Sequence, residues 1–267
     1  MAVDNFRSEL LAYVADFQRT LSTETGDWTV KGFIDVYRNI YAVSLDTKVI
    51  SKIFELMLFP TLSNFAIDHG YGIVLSEHQN HYPDISLVAP DGTKIALDLK
   101  STYCINDDTA AGFTLGAFTG YFRQRNSSKN ITFPYIQYAK HFVLGIIYRR
   151  NKITADAPRV YPLDQLQNIS SAVRDFTFLV QEKWRIASDQ PGSGNTKNIG
   201  SVHNIAALVE GNGPFTSHGN EVFDDYWMNY LTNDMAQAID SEPLYRNLEE
   251  YFKWRGKSRR KPKSNRK

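Results

Sequence analysis

Two runs of alternating residues flank an Asp91-Gly92 pair: residues 82–90 (YPDISLVAP) precede it and residues 94–103 (KIALDLKSTY) follow. An Asp-Gly step between two such runs is a hairpin signal, with a type I′ or related turn. In the second run Ile95, Leu97 and Leu99 point one way while Ala96, Asp98 and Lys100 point the other, because side chains alternate along a strand. The tight turn lays Asp84, near the start of the first strand, across from the end of the second, fourteen positions before Asp98.

Helical spacing appears on either side of this pair. Residues 5–21 place Phe6, Leu10, Tyr13, Val14 and Phe17 on one stripe, and a second helix is predicted from Ser44 or Asp46 to Phe59, ending before Pro60. Helices mixed with strands, in 267 residues without an internal repeat or a low-complexity linker, indicate one α/β domain over residues 1–254. Hydrophobic residues make up 42% of the chain, enough for a sizeable core. The longest strongly apolar stretch, 141–148 (HFVLGIIY), is far below the roughly 20 residues that cross a bilayer, so no membrane partner is expected. The first seventeen residues carry Asp4, Glu9 and Asp16, unlike a signal peptide, and a cytoplasmic location is expected. Cys104, the single cysteine, excludes internal disulfides and multi-cysteine zinc sites, and reads as a small hydrophobe near a strand end.

The net charge of +1 conceals an asymmetry. Residues 255–267 hold eight Lys or Arg and no acid, which leaves 22 basic against 29 acidic residues elsewhere, or −7. This segment reads as a basic, mobile tail, either a solubilising terminus or a non-specific attractor of phosphates.

Two carboxylates brought together as Asp84 and Asp98 repel each other unless a cation lies between them. Hard oxygens in this number suit magnesium, which accepts one or two carboxylates together with a substrate phosphate. A lysine two residues on can offset charge developing at phosphorus. On the pattern alone, an edge-strand salt bridge explains Asp84, Asp98 and Lys100 as well as phosphodiester chemistry does. Likewise Lys48 and Glu55, seven residues apart on one helix side, are explained by an ordinary solvated face. The stretch 188–203, rich in Gly, Ser and Asn, reads by composition as a flexible surface loop, and neither it nor Gly256-Lys257-Ser258 fits a nucleotide-binding fingerprint.

Pro83-Asp84 followed by Asp98-Leu99-Lys100 looks like the core of the PD-(D/E)xK nucleases. Six strings in the same order resemble the EcoRV-like type II restriction endonucleases of that superfamily: SLDTKVISKIFELM (44–57), QNHYPDISL (79–87), KIALDLKSTY (94–103), FTLGAFTGYFRQ (113–124), QEKWRIASDQPGSGNTKNIGSVH (181–203) and DDYWMNY (224–230). The resemblance implies a restriction-endonuclease-like α/β core, a mixed β-sheet flanked by helices. It implies Asp84 and Asp98 as metal ligands with Glu55 helping to organise the Mg2+ region, Lys100 as the catalytic lysine, and Lys48 as the basic residue two turns before Glu55. It implies that the glycine-rich loop, with Gly192, Ser193, Gly194, Asn195, Thr196 and Asn198, enters the major groove, with Asn195 and Thr196 reading bases. His78, Gln79 and Asn80 correspond to a second loop along the minor groove, and Lys129 to a weaker phosphate contact. This chain departs from the family at His78, where the type member has a second glutamine, and at Lys197, which replaces a small polar residue. A palindromic double-stranded DNA target implies a homodimer. Residues 27–41 read as a short hairpin, which is either an ordinary core strand pair or, as the resemblance implies, the dimer-forming region. The implied target is GATATC, cut bluntly to leave 5′-phosphates, in a system whose DNA methyltransferase makes no direct contact with the nuclease. A structure-specific repair or junction nuclease and a non-catalytic DNA-binding protein are the alternatives.

Overall fold

A computed structural model describes residues 2–78, 80–152, 159–192 and 196–259. In chain order the strands are β1 (Gly32–Ile34), β2 (Asn39–Ala42), β3 (Gly72–Leu75), β4 (Ile85–Val88), β5 (Lys94–Tyr103), β6 (Thr114–Ala117), β7 (Tyr138–Arg150), β8 (Val160–Pro162), β9 (Val173–Glu182), β10 (Ala187–Pro191) and β11 (Asn198–Ser201). The α-helices are α1 (Ala2–Ala12), α2 (Val14–Leu21), α3 (Thr47–Asp68), α4 (Lys183–Ile186), α5 (Ile205–Glu210), α6 (Asn220–Asn229), α7 (Asn233–Gln237) and α8 (Leu248–Arg259).

A five-stranded sheet of order β3-β4-β5-β7-β9 lies between two apolar cores. Only β5 and β7 run parallel, so the sheet is mixed, as expected for an α/β fold of this kind. The alternation in β5 divides the cores. Ile95, Leu97 and Leu99 join the side packed with Phe6, Phe17, Phe54 and Phe65, and Ala96 joins the opposite side with Phe113, Ile199, Phe223 and Trp227. Burial of each such large side chain contributes about 1.5–3 kcal/mol, which orients the strand firmly.

The hairpin forms between β4 and β5, with a different turn from the one expected. Ala89 accepts from the Gly92 N–H and donates to Thr93, with Pro90 and Asp91 between and Gly92 at φ +83. That is the longer hairpin loop in which one glycine takes the left-handed position, since Pro90 at the second turn position cannot adopt the positive φ a type I′ turn requires.

Two helix expectations change. The run predicted over 5–21 is interrupted at Tyr13, whose φ of −87° and ψ of 0° separate α1 from α2. The second helix does not stop before Pro60 but continues to Asp68. Leu62, Phe65 and Ala66 continue the buried stripe of Ile50, Ile53, Phe54 and Leu58, whereas Pro60 is exposed, so tertiary burial outweighs the hydrogen bond that proline removes. By length and composition α3 could cross a membrane. Its buried stripe faces the sheet, while Lys48 and Lys52 on another side are exposed.

The segment 27–41 does form a hairpin, β1 with β2, extended by β8 into a separate three-stranded sheet. Trp28 is fully buried, while Phe33, Ile34, Val36, Tyr37 and Tyr41 are exposed. The stretch 188–203 is more ordered than its composition suggested. β10 and β11 pair with each other and β11 pairs with β6. Gly192 and Gly200 allow this approach, since a Cβ on Gly200 would meet the Gly192 Cα at 2.8 Å. The basic segment also begins in ordered structure: α8 extends through Arg259, and Arg255 pairs with Asp225. Residues 260–267 lie outside the described residues.

Candidate active site

The register that sets Ile85 opposite Leu97 and Ser86 opposite Ala96 sets Asp84 beside Asp98 on the same sheet face. Three contacts bind this corner. The Asp84 N–H donates to Asp98 Oδ1 at 3.2 Å, the Leu99 N–H donates to Asp84 Oδ2 at 2.8 Å, and Lys100 Nζ donates to Asp84 Oδ2 at 3.1 Å. Lys100 Nζ also lies 3.4 Å from Asp98 Oδ2. The structure therefore brings together the three residues that the sequence pattern singled out.

Their environments differ. Asp98 is 3% exposed, whereas the side chains of Asp84 and Lys100 keep 30% and 25% of their exposure. Burial holds the Asp98 carboxyl above the usual aspartate range; Lys100 opposes that shift and Asp84 adds to it. For Lys100, burial acts to lower the pKa, but Asp98 and Asp84 together outweigh it and raise it, so the ammonium stays charged.

Beside the pair opens a cavity of about 790 Å³, lined by Lys48, Lys52 and Glu55 of α3, by His78, Asn80 and His81, and by Asp84 and Leu99. The start of α3 is fixed by Asp46, whose side chain accepts from the N–H groups of Lys48 and Val49 at 2.8 and 3.1 Å. Lys48, one turn before Lys52 and two before Glu55, thus faces the same space. Glu55 stands beside the carboxylate pair, not within it: its Oε2 accepts from Lys52 Nζ at 2.6 Å. Among the described residues no three His, Cys, Asp or Glu gather to hold a metal ion, so the expected third ligand is not assembled with Asp84 and Asp98. Two carboxylates still fit magnesium, which completes its shell with water and phosphate oxygens.

The polar residues before Asp84 are drawn to the cavity rim by a local turn. The Ser76 hydroxyl donates to the His78 carbonyl at 2.6 Å, the His81 N–H donates to it at 3.0 Å, and the two histidine rings meet edge to face at 4.6 Å. Gln79 lies outside the described residues, as do Ser193, Gly194 and Asn195 of the expected reading loop. On the flanks of that loop, Gly192 is exposed at the end of β10, Thr196 is half-buried, and Asn198 begins β11 opposite Ala117. Lys129 is exposed in a turn held by its N–H to Ser127 Oγ and does not line the cavity.

Two lysines at this site were not singled out from the sequence. Lys52 shares the helix face of Lys48 and Glu55, and its spacing of three and four residues from them was signal enough. Lys183 lies among rings of the core on the sheet face that carries Ala96 and Asp98, and nothing local announces it.

The sequence matches the family described as Restriction endonuclease EcoRV over residues 24–256. The Type II restriction enzyme EcoRV of Escherichia coli is 37% identical over 243 residues, which cover 90% of this chain and 96% of that enzyme. The solved structure of the NlaIV restriction endonuclease overlays with a TM-score of 0.42 at 13% identity, covering 92% of this chain and 95% of that one. With the family matched over most of its length, and an Asp-Asp-Lys corner on paired strands, the chain belongs to the EcoRV family of type II restriction endonucleases.

Proposed function

We propose that this endonuclease hydrolyses phosphodiester bonds of double-stranded DNA with Mg2+ held by Asp84 and Asp98, at the palindrome GATATC, leaving blunt ends with 5′-phosphates and 3′-hydroxyls. The observation that carries this reading is the Asp84–Asp98–Lys100 corner, where two carboxylates and one ammonium converge within 3.4 Å of Lys100 Nζ. A divalent cation held there supplies Lewis acidity toward a phosphoryl oxygen and makes water nucleophilic at neutral pH.

The chain's own residues do the rest. The backbone N–H groups of Asp84 and Leu99 orient the two carboxylates before any ligand arrives. Lys100, kept charged between them, offsets negative charge developing at phosphorus and directs water toward the scissile phosphate. Lys48 and Lys52 supply positive charge on the cavity wall for the DNA backbone, and Glu55 organises the cation region from α3. His78, Gln79 and Asn80 follow the minor groove, Lys129 adds a phosphate contact, and Gly192 to Thr196 with Asn198 read the major groove, Asn195 and Thr196 through base edges. The flanks of the reading loop, β10 and β11, are paired with each other, which supports this reading.

Residues 1–254 form the catalytic unit in this reading, and the exposed apolar side of β1 and β2 joins two copies about a two-fold axis. The setting is cytoplasmic, beside a methyltransferase that modifies the same sequence.

Digestion of a sequenced plasmid with and without magnesium, with end mapping, tests the proposal. Discrete, magnesium-dependent blunt ends at GATATC, absent for Asp98→Ala, are expected. Discrete cuts elsewhere overturn the target and direct attention to His78 and Lys197. Unspecific degradation points to a repair-type nuclease, and tight duplex binding without cutting overturns the catalytic roles.

A further inference from the structure

Lys183 directly follows β9 and begins α4, and its side chain turns inward. It is 2% exposed, and among the described residues no group accepts a hydrogen bond from its ammonium. The surroundings form a cage. Nζ lies 4.5 Å from the centre of the Tyr82 ring, 5.5 Å from that of Tyr135 and 5.9 Å from that of Phe122. Those rings are themselves fixed. Tyr82 stacks on Tyr121 at 5.1 Å, Tyr135 stacks on His141 at 4.1 Å, and the Tyr82 hydroxyl shares a 2.8 Å hydrogen bond with His141 Nδ1. Gly116 leaves the cage open where a side chain would intrude, since its Cβ would lie 3.1 Å from the Tyr121 hydroxyl and 3.9 Å from the ammonium.

Ring faces repay about 0.5–2 kcal/mol of the cost of burying an ammonium, well short of what an ion pair supplies. A buried cation held on such terms calls for a reason other than stability. The cage adjoins the carboxylate pair. Tyr82 is two residues before Asp84, and Asp98 is the foremost anion acting on Lys183, followed by Asp224; Lys100 and Arg125 are the cations opposing it. Asp84 and Asp98 carry two negative charges, and Lys100 with Lys183 carries two positive ones.

We propose that Lys183 acts on the cation site without touching it, as a fixed buried counter-charge that sets how strongly the Asp84–Asp98 pair attracts a divalent cation. The inference rests on reading that pair as the cation site. Lys100 alone leaves the corner with a net negative charge. Lys183 cancels it without occupying the cavity, so the carboxylates keep their geometry while their pull on a dication is reduced.

The test is titration of Mn2+ into the free protein at about pH 7, with free Mn2+ read by electron paramagnetic resonance, for wild type, Lys183→Met and Lys183→Arg. Methionine fills the cage without charge. It is expected to tighten Mn2+ binding roughly tenfold while melting no lower than wild type, because a repulsive charge is removed and an unpaired buried one is lost. Arginine keeps the charge and is expected to bind as wild type does. Unchanged or weaker binding by a cooperatively melting Lys183→Met protein overturns the inference and leaves the nuclease reading intact. Lys183→Arg binding as tightly as Lys183→Met also overturns it, since packing and not charge then governs. If the methionine variant does not melt cooperatively, Lys183→Gln takes its place under the same criteria. Wild type that binds no Mn2+, or binds it no better than Asp98→Ala does, overturns the cation site and this inference together.

Discussion

Asp98 is a carboxylate held almost out of water, with Lys100 3.4 Å away and the Asp84 N–H 3.2 Å away. Replacing it by alanine removes half of the oxygen donors for a cation, and cleavage is expected to fall by at least ~10³-fold in single-turnover assays. Lys100→Ala removes the one ammonium between the acids and is expected to cost about 10²–10³-fold in the same assay, with duplex binding largely retained. Lys183 contributes a measurable pH dependence. Burial lowers its pKa from 10.5 to about 8, so the folded chain holds this proton less tightly than the unfolded chain does. On its account stability is present in full above about 10.5 and is lost as the pH falls through about 8. The melting-temperature difference between Lys183→Met and wild type is therefore expected to be largest below about pH 8 and to shrink on the alkaline side. A difference that stays flat across that window would mean that Lys183 keeps its unperturbed pKa in the folded chain and stays charged throughout. Of these residues, Asp84, Asp98 and Lys100 were legible from alternation and spacing, because both are short-range properties of a hairpin.

At the scale of elements, α3 shows how local rules are overruled. Pro60 is a sound stop signal, yet the helix continues because the buried stripe extends through Phe65 and Ala66, and no local window weighs that burial. The N-terminus of α3 obeys its local signal. Asp46→Ala deletes the two cap bonds to Lys48 and Val49 and is expected to cost about 1 kcal/mol, seen as a melting temperature lower by a few degrees. Because Lys48, Lys52 and Glu55 ride on that helix, a modest loss of cleavage should accompany the loss of stability. The β10–β11 pair is the opposite case. Its Gly, Ser and Asn content signals a loop, yet Ser188, Asn198, Gly200 and Ser201 lie in the strands themselves, and β11 pairs with β6, an edge more than 80 residues earlier in the chain.

In the whole molecule, the exposed Ile34, Val36 and Tyr37 form an apolar surface apart from the two cores. An Ile34→Asp, Tyr37→Asp double variant is expected to sediment as a monomer and to lose double-strand cleavage while the fold persists; a dimer that survives would move the interface elsewhere. Deleting residues 260–267 removes five basic side chains and is expected to reduce the salt dependence of non-specific duplex binding, by as much as ~4.5 in the slope of log affinity against log salt. Local pattern was sufficient for the β4–β5 hairpin, the face shared by Asp98 and Lys100, and the mixed α/β class, since turn chemistry and periodicity act over a few residues. The passage of α3 through Pro60, the separation of Glu55 from the carboxylate pair and the caged Lys183 arose from packing. Each depends on side chains distant in the chain, as with Asp98 and Lys183, 85 positions apart, and whether a charge is paired, solvated or buried is settled only when those segments meet.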